Sequence, residues 1–385
     1  MRATAAARDL LAEIDERTFA TLEGRSLLLT SEWSSAELET LCRLAELLEA
    51  LDRAGVATPL LPEQLHLAVF FDSSTRTKSS WAGASARLGG RPLVVDGSTT
   101  QVSHGETAEE TGAMLGMNSH ALGVRHDLVL GEGNRFMRGA LAGIETYLRE
   151  TESSRVVPLT NLQCDIDHPT QTLADLCWLR ERFPEGLAGR RIAVTWAYSP
   201  SYAKPLSVPQ GLITLLTRYG AEVRLAHPEG YGLEPDTLAA ARRFAADSGG
   251  AFSTVETMDE AFEDADVVYP KSWGPYDLML ERVAAHRAYD STALAGLEKR
   301  MLARNAEFTD WICDERRMAR TREGNALYMH RVPADIGVGV GAGGMGRARV
   351  GVARQANKKV YVIMALLAGA KVEDLGSRLR ELATA

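Results

Sequence analysis

A chain of 385 residues, 45% of them hydrophobic, has the length for two domains and the apolar content for sizeable cores. Its formal net charge of −8 argues against a general nucleic-acid binder, which carries a basic excess, but leaves room for a local anion pocket. Met1 to Glu13 lacks a signal-peptide core, no window approaches the roughly 20 apolar residues of a membrane span, and the four cysteines are scattered without C-x-x-C spacing, so a soluble protein of a reducing cytoplasm is expected.

His66 to Phe71 is a short, continuous apolar run bounded by polar residues, the pattern of a buried strand. Ser74-Thr75-Arg76-Thr77 follows it directly, and Lys78 to Leu88 reads as a helix with Ser or Thr at its cap. A strand that hands over to a capped helix leaves backbone N–H groups pointing outward at the positive end of the helix dipole. Hydroxyls and a guanidinium placed there make a phosphate cradle, since arginine grips two oxygens at once. Taken alone, the segment is equally an ordinary N-cap beside a surface arginine.

Leu93 to Val95, Ala121 to Val124 and Val156 to Leu159 read as short buried strands, separated by helical patterns at Thr107 to Met117 and Asn134 to Leu148. Arg125 stands at the end of the middle strand; its plain alternative is a surface ion pair with Asp127. After the polar run Asn161 to Asp167, His168-Pro169-Thr170-Gln171 opens a helix that runs to Phe183, with proline in the favourable first turn. His168 and Gln171 are three apart and share a helix face, although His168 alone would pass as a helix-cap histidine.

Ile192 to Trp196, Val223 to Ala226 and Val267 to Tyr269 are predicted strands, and Asp236 to Asp247 a helix. A short strand, Ala326 to Tyr328, leads into Met329-His330-Arg331-Val332-Pro333-Ala334. Such alternation predicts an α/β protein with parallel sheets covered by helices on both faces. Ligands in these folds sit at the carboxyl ends of strands, and all three polar motifs follow strands. Gly337 to Gly346 contains G-x-G-x-x-G twice, at Gly339, Gly341, Gly344 and at Gly341, Gly343, Gly346. A dinucleotide site needs a strand before, a helix after and an acid roughly 20 residues on. Arg347 to Val352 looks extended and Lys358 and Lys359 stand where the acid is required, so the stretch reads as a flexible loop.

In order and approximate spacing, Ser74 to Thr77, His168 to Gln171 and His330 to Pro333 resemble the Ser-Thr-Arg-Thr, His-Pro-x-Gln and His-Cys-Leu-Pro segments of the aspartate/ornithine carbamoyltransferase family. The resemblance covers nearly the whole chain. It implies two doubly wound domains: 1–166 for carbamoyl phosphate, completed by 353–385, with Asn357 to Ala368 returning to it, and 167–352 for the second substrate. Carbamoyl transfer needs preorganised donors for an oxyanion and a departing phosphate, and no cofactor, metal or covalent nucleophile. The resemblance assigns the phosphate to Ser74, Thr75, Arg76 and Thr77, the carbonyl oxygen to Thr77, Arg125 and His168, and the carbamoyl amide to Gln171. Gln101 and His104, within Thr100 to Thr107, match a family loop that enters the neighbouring subunit's site. This implies a homotrimer with shared active sites. Read alone, that segment is an exposed loop capping the next helix, with Glu106 favouring its N-terminus. Lys359 sits where the family often has an arginine near carbamoyl phosphate, with the adjacent Lys358 as the alternative in that register.

Thr195 to Pro200 leads into Lys204-Pro205-Leu206-Ser207-Val208-Pro209, which looks like the loop of the knotted carbamoyltransferases, and Tyr269 to Trp273 is similar to the Lys-Ser-Trp segment of their acetylornithine branch. Leu162 to Asp167 looks most like the YgeW-type branch, which fits best over the full length. The resemblance places Lys204, Lys271, Ser272, Trp273, His330, Arg331 and Val332 at the second substrate, Lys271 binding an acidic or carbonyl group and Trp273 walling the pocket. The plain alternatives are a strand-end surface lysine and core packing. Arg331 replaces the family cysteine; it has no acceptor and cannot act as a base, but can grip a carboxylate bidentately. Lys78 stands where arginine is common and alters a helix-face contact, and Gly337 to Gly346 is a candidate lid. The expected activity is carbamoyl transfer to an amine of an amino-acid-like substrate, or its catabolic reverse on a ureido compound, with ornithine and aspartate disfavoured by their missing loop signatures. A catalytically degenerate binding protein of the same fold is the alternative, and a nucleotide-dependent dehydrogenase fails on the glycine loop's context.

Overall fold

A computed structural model describes residues 2–329 and 342–384. Two parallel-sheet domains follow one another. The first sheet contains β1 (Leu65–Phe70), β2 (Arg91–Asp96), β3 (Ala121–Arg125) and β4 (Leu159–Gln163), in the order β2-β1-β3-β4. The second contains β5 (Arg191–Trp196), β6 (Glu222–Ala226), β7 (Ala251–Val255), β8 (Val267–Lys271) and β9 (Leu327–Tyr328), in the order β7-β6-β5-β8-β9. Every pairing is parallel.

β1 shows why such strands read as unbroken apolar runs. Leu67 and Val69 join one buried cluster with Leu122, Val124, Met137 and Ile144, while Ala68 and Phe70 join another with Trp81, Ala84 and Leu88. Helices cover both faces, so alternation has no solvent side to mark. Chain order reverses between β1 and β3 in the first sheet and between β5 and β8 in the second. These are the switch points where a crevice opens at the carboxyl ends. Ser74 to Thr77 follow β1, Arg125 closes β3, and Lys271 closes β8.

Helix starts carry local signals. Ser34 with Glu37, and Thr107 with Glu110, form reciprocal capping boxes on the helices Ser35–Arg53 and Ala108–Asn118. Pro169 occupies the first turn of Pro169–Arg182. Gly133 opens Gly133–Glu150 where a Cβ would lie 1.8 Å from the His126 carbonyl oxygen, so the turn after β3 admits no side chain there. The long helix Ala342–Lys371 packs on Ser35–Arg53, Arg76–Arg87 and Pro169–Arg182.

Three expectations are corrected. Leu93 to Val95 lie in a strand, but β2 is the sheet edge and largely exposed, with Leu93 at 44%. The strand expected at Val156 to Leu159 runs instead from Leu159 to Gln163, because its polar members Thr160, Asn161 and Gln163 are buried and Asn161 and Gln163 donate to Leu28 O and Ser207 Oγ. Arg347 to Val352, expected to be extended, are helical, as are Gly343, Gly344 and Gly346. The helices Arg2–Glu13, Ser35–Arg53, Ser207–Leu216, Tyr276–Arg287, Ser291–Asn305 and Leu375–Thr384, and the strand β7, add to what the pattern predicted.

Candidate active site

The end of β1 is tied to the end of β3. Phe71 N donates to Arg125 O at 2.9 Å, and Asp72 Oδ2 accepts Asp127 N at 2.7 Å. The register between β3 and β4 slips by one residue at Arg125, a bulge of the kind that re-aims a side chain beside a site. Arg125 is buried and pairs with the buried Asp127 at 2.8 Å, so the expected surface ion pair exists but lies inside the protein. Its Nε remains without a hydrogen-bond partner.

Ser74 Oγ accepts Thr77 N at 3.2 Å, while Thr75, the N-cap residue, makes no side-chain cap bond. Arg76 begins the helix half-buried, and among the described residues no acid pairs with it. Burial pulls its guanidinium below the ordinary range, and the positive charge of Arg125 adds to that shift. Two cations thus stand close together beside a helix N-terminus, and among the described residues one of them has no acid partner. Lys78 meets the Phe70 ring at 5.3 Å, which accounts for it as a helix-face contact.

The second polar group is buried where three parts of the chain meet. Lys359 Nζ lies 3.3 Å from Thr77 Oγ1 and 3.5 Å from His168 Nε2. Lys358 points elsewhere, to Glu49 and Glu181, so of the two lysines it is Lys359 that lies beside Thr77 and His168. His168 is the N-cap residue of Pro169–Arg182 without a side-chain cap bond, its Nδ1 lying 3.4 Å from Thr170 Oγ1. One turn on, Gln171 Nε2 donates to Asp175 Oδ1 at 2.8 Å. Gln355 Nε2 donates to the same oxygen at 2.6 Å and Tyr269 OH to Asp175 Oδ2 at 3.0 Å. Burial lifts the Asp175 carboxyl to about 6, against the lowering effect of those three donors and of the Lys359 charge.

At the second sheet, Lys204, Lys271 and Ser272 are buried and Trp273 is wholly so. Lys271 Nζ donates to Ser272 O, and Lys204 O accepts Gly274 N at 2.9 Å, which sets the two lysine-bearing segments side by side. Trp273 Nε1 donates to Tyr231 O at 2.8 Å, and Trp196 Nε1 to Trp273 O at 2.9 Å, so Trp273 is packed as a core side chain. Ser272 Oγ and Thr195 Oγ1 are buried without partners. The loop after β5 leans toward the first sheet: Lys204 lies over the Tyr202 ring at 5.6 Å, and Tyr202 acts electrostatically on Arg76.

Ser74, Thr77, Arg76, Arg125, His168, Gln171 and Lys359 are thus gathered by the meeting of β1, β3 and three helices. Gln101 and His104 are not in that buried group; they stand exposed on the short turn Gln101–His104. His330, Arg331 and Val332, with the Gly337–Gly341 part of the glycine stretch, lie outside the described residues. Asp175, Gln355 and Tyr269 are additional to the motif residues: Asp175 stands one helical turn after Gln171, a spacing that could have pointed to it, whereas the amide of Gln355 and the phenol of Tyr269 lie on distant segments with no local signal. A separate cavity of about 680 Å³, between Trp178, Cys313, Tyr328 and Arg354, is lined by none of the motif residues among the described ones.

Known proteins resemble this chain in sequence and in fold. The family described as "Aspartate/ornithine carbamoyltransferase, carbamoyl-P binding domain" matches residues 25–181, and that described as "Aspartate/ornithine carbamoyltransferase, Asp/Orn binding domain" matches residues 206–369. The chain is 45% identical over 382 residues to "Putative carbamoyltransferase YgeW" of Escherichia coli K12, covering 97% of this chain and 96% of that one. It is 28% identical over 371 residues to N-acetylornithine carbamoyltransferase of Xanthomonas axonopodis pv. citri, covering 92% and 99%. A crystal structure of an N-acetyl-L-ornithine transcarbamylase mutant complexed with carbamyl phosphate and N-succinyl-L-norvaline superimposes with a TM-score of 0.73 at 26% identity, covering 89% and 99%.

Proposed function

The chain belongs to the aspartate/ornithine carbamoyltransferase family, a family of transferases, and from that premise we propose that it moves a carbamoyl group between carbamoyl phosphate and an amine of an amino-acid-like substrate other than ornithine or aspartate. The observation that carries this reading is Arg76, half-buried, without an acid partner among the described residues and within the field of Arg125 at the start of a helix. Such a pair is costly until an anion arrives.

In the forward direction the amine nitrogen attacks the carbamoyl carbon. The bond between the carbamoyl carbon and the bridging phosphate oxygen breaks, and the departing phosphate takes the amine proton. Ser74, Thr75, Arg76, Thr77 and Lys359 hold the phosphate. Thr77, Arg125 and His168 stabilise the carbonyl oxygen as it gains charge, and Gln171 holds the carbamoyl amide. The division 1–166 and 167–352, with 353–385 completing the first part, goes with this reading. So do a chain threaded through the Lys204 to Pro209 loop, a cytoplasmic homotrimer in which Gln101 and His104 serve the neighbouring copy, and a second substrate with an anionic group for Lys204, Lys271 or Arg331. The reaction requires no cofactor, and the reverse direction on a ureido compound uses the same groups.

Calorimetry with carbamoyl phosphate tests the reading on the protein and on Arg76→Ala. Binding to the wild type that the variant loses is the expected result. A wild-type protein that binds no carbamoyl phosphate at millimolar ligand would overturn the reading in favour of a degenerate binding protein.

A further inference from the structure

Gln171 carries the recognition of the carbamoyl amide in the reading above, and the inference here rests on that reading. An amide side chain accepts at its oxygen and donates at its nitrogen. The carbamoyl group ends in NH₂, so only Gln171 Oε1 serves it. Which end of Gln171 faces the donor site therefore decides whether an NH₂ group is welcome.

Asp175 makes that decision. It is fully buried one turn along the same helix, and its Oδ1 takes the Gln171 amide nitrogen at 2.8 Å. An ionised carboxylate has no proton to give, so it can face only the NH₂ end of the glutamine. The orientation of an amide, elsewhere a matter of assignment, is set here by the chemistry of its neighbour. Asp175 is itself held from two other directions, by Gln355 of the long C-terminal helix and by Tyr269 of β8. Three donors on one carboxylate leave it little freedom to rotate, and they keep it ionised near neutral pH despite its burial.

We propose that Asp175 is a positioning residue that locks Gln171 with its carbonyl oxygen toward the donor site, and so makes the site select an acyl phosphate bearing NH₂ over one bearing CH₃. Tyr269 extends the lock to the second sheet, two residues before Lys271, so the amide is set by the same strand that ends at the acceptor side.

The test compares carbamoyl phosphate with acetyl phosphate, which differ by NH₂ against CH₃, by calorimetry on the wild type, Asp175→Asn and Tyr269→Phe. The wild type is expected to prefer carbamoyl phosphate by about tenfold or more, the scale of one hydrogen bond kept or left unmade in a buried site. An asparagine can offer either end to Gln171. In Asp175→Asn carbamoyl phosphate should therefore weaken about tenfold while acetyl phosphate changes by less than about twofold. Tyr269→Phe, which keeps the ring and removes one donor, should lower the preference about two- to threefold, and it carries the test if Asp175→Asn does not fold. Equal losses for both ligands, or an unchanged preference in a folded variant, would overturn the proposal. A wild type that binds both ligands equally would also overturn it while leaving carbamoyl phosphate binding intact. A wild type that binds neither refutes the function itself.

Discussion

The two sheets end in crevices of the same topology that are filled in opposite ways. At the ends of β1 and β3, cations stand close together and one of them, Arg76, has no acid partner among the described residues. At the ends of β5 and β8, Trp196, Tyr231 and Trp273 pack ring against ring or donate to backbone carbonyls, and the lysines are buried among them. The second is nearly complete as a core: among the described residues Ser272 Oγ and Thr195 Oγ1 are its buried oxygens without partners. On the proposed function, the first crevice takes the small anion with charge gathered at a strand end, and the second takes the amine substrate with side chains that also pack the core.

The sharpest way to break this contrast is at Arg125, which belongs to both descriptions because it is buried and paired. Arg125→Ala should lower turnover by about 10²–10³, as for other oxyanion donors. It should also cost about 3–5 kcal/mol of stability, because Asp127 loses its arginine inside the protein. Arg125→Met with Asp127→Leu should recover most of that stability in urea unfolding without recovering turnover. A double variant that regains activity would reduce Arg125 to a structural ion pair.

The second crevice divides differently. Trp273→Ala should lower stability by about 3–5 kcal/mol, since it empties a core position and strands the Tyr231 carbonyl. Lys271→Met should leave the unfolding midpoint nearer the wild type, yet raise the KM for the amine about tenfold while moving carbamoyl phosphate affinity by less than about twofold. Equal kinetic effects on both substrates would assign Lys271 to the shared framework rather than to the acceptor.

The same division decided what could be read in advance. The anion crevice is written in contiguous motifs, Ser74 to Thr77 and His168 to Gln171, because a strand end and a helix start are local events. β1, β3, β5 and β8 were legible for the same reason, as largely apolar runs covered on both faces, and β6 was legible although Arg224 interrupts it. β4 was not, since Asn161 and Gln163 look like loop residues until Leu28 O and Ser207 Oγ satisfy them. β2 looked buried because Leu93 to Val95 are apolar, and only the strand order makes it an edge. Of the partners of Asp175 only Gln171, four residues earlier on the same helix, is local; the other two come from β8 and from a helix 180 residues away in sequence, and no spacing announces them. The same holds for the choice of Lys359 over Lys358, which depends on Glu49 and Glu181 drawing the first lysine away.

The two crevices also touch each other, and here the expected effect is smallest. Glu132, at the N-cap of Gly133–Glu150, pairs with Arg135 beside it and, at 3.0 Å, with Arg287 on the helix that follows β8. His126 and His286 meet one step further in, with ring centroids 6.3 Å apart. Arg287 is about two-thirds exposed, at 64%, so its ion pair is worth less than about 1 kcal/mol and is weakened by salt. Arg287→Ala should therefore change kcat/KM by no more than about threefold at low salt. Near 1 M salt, where the screening length is about 3 Å, wild type and variant should converge. A larger effect that salt does not erase would mean that this contact holds the two halves in register by packing rather than by charge, and that the crevices are less independent than their contents suggest.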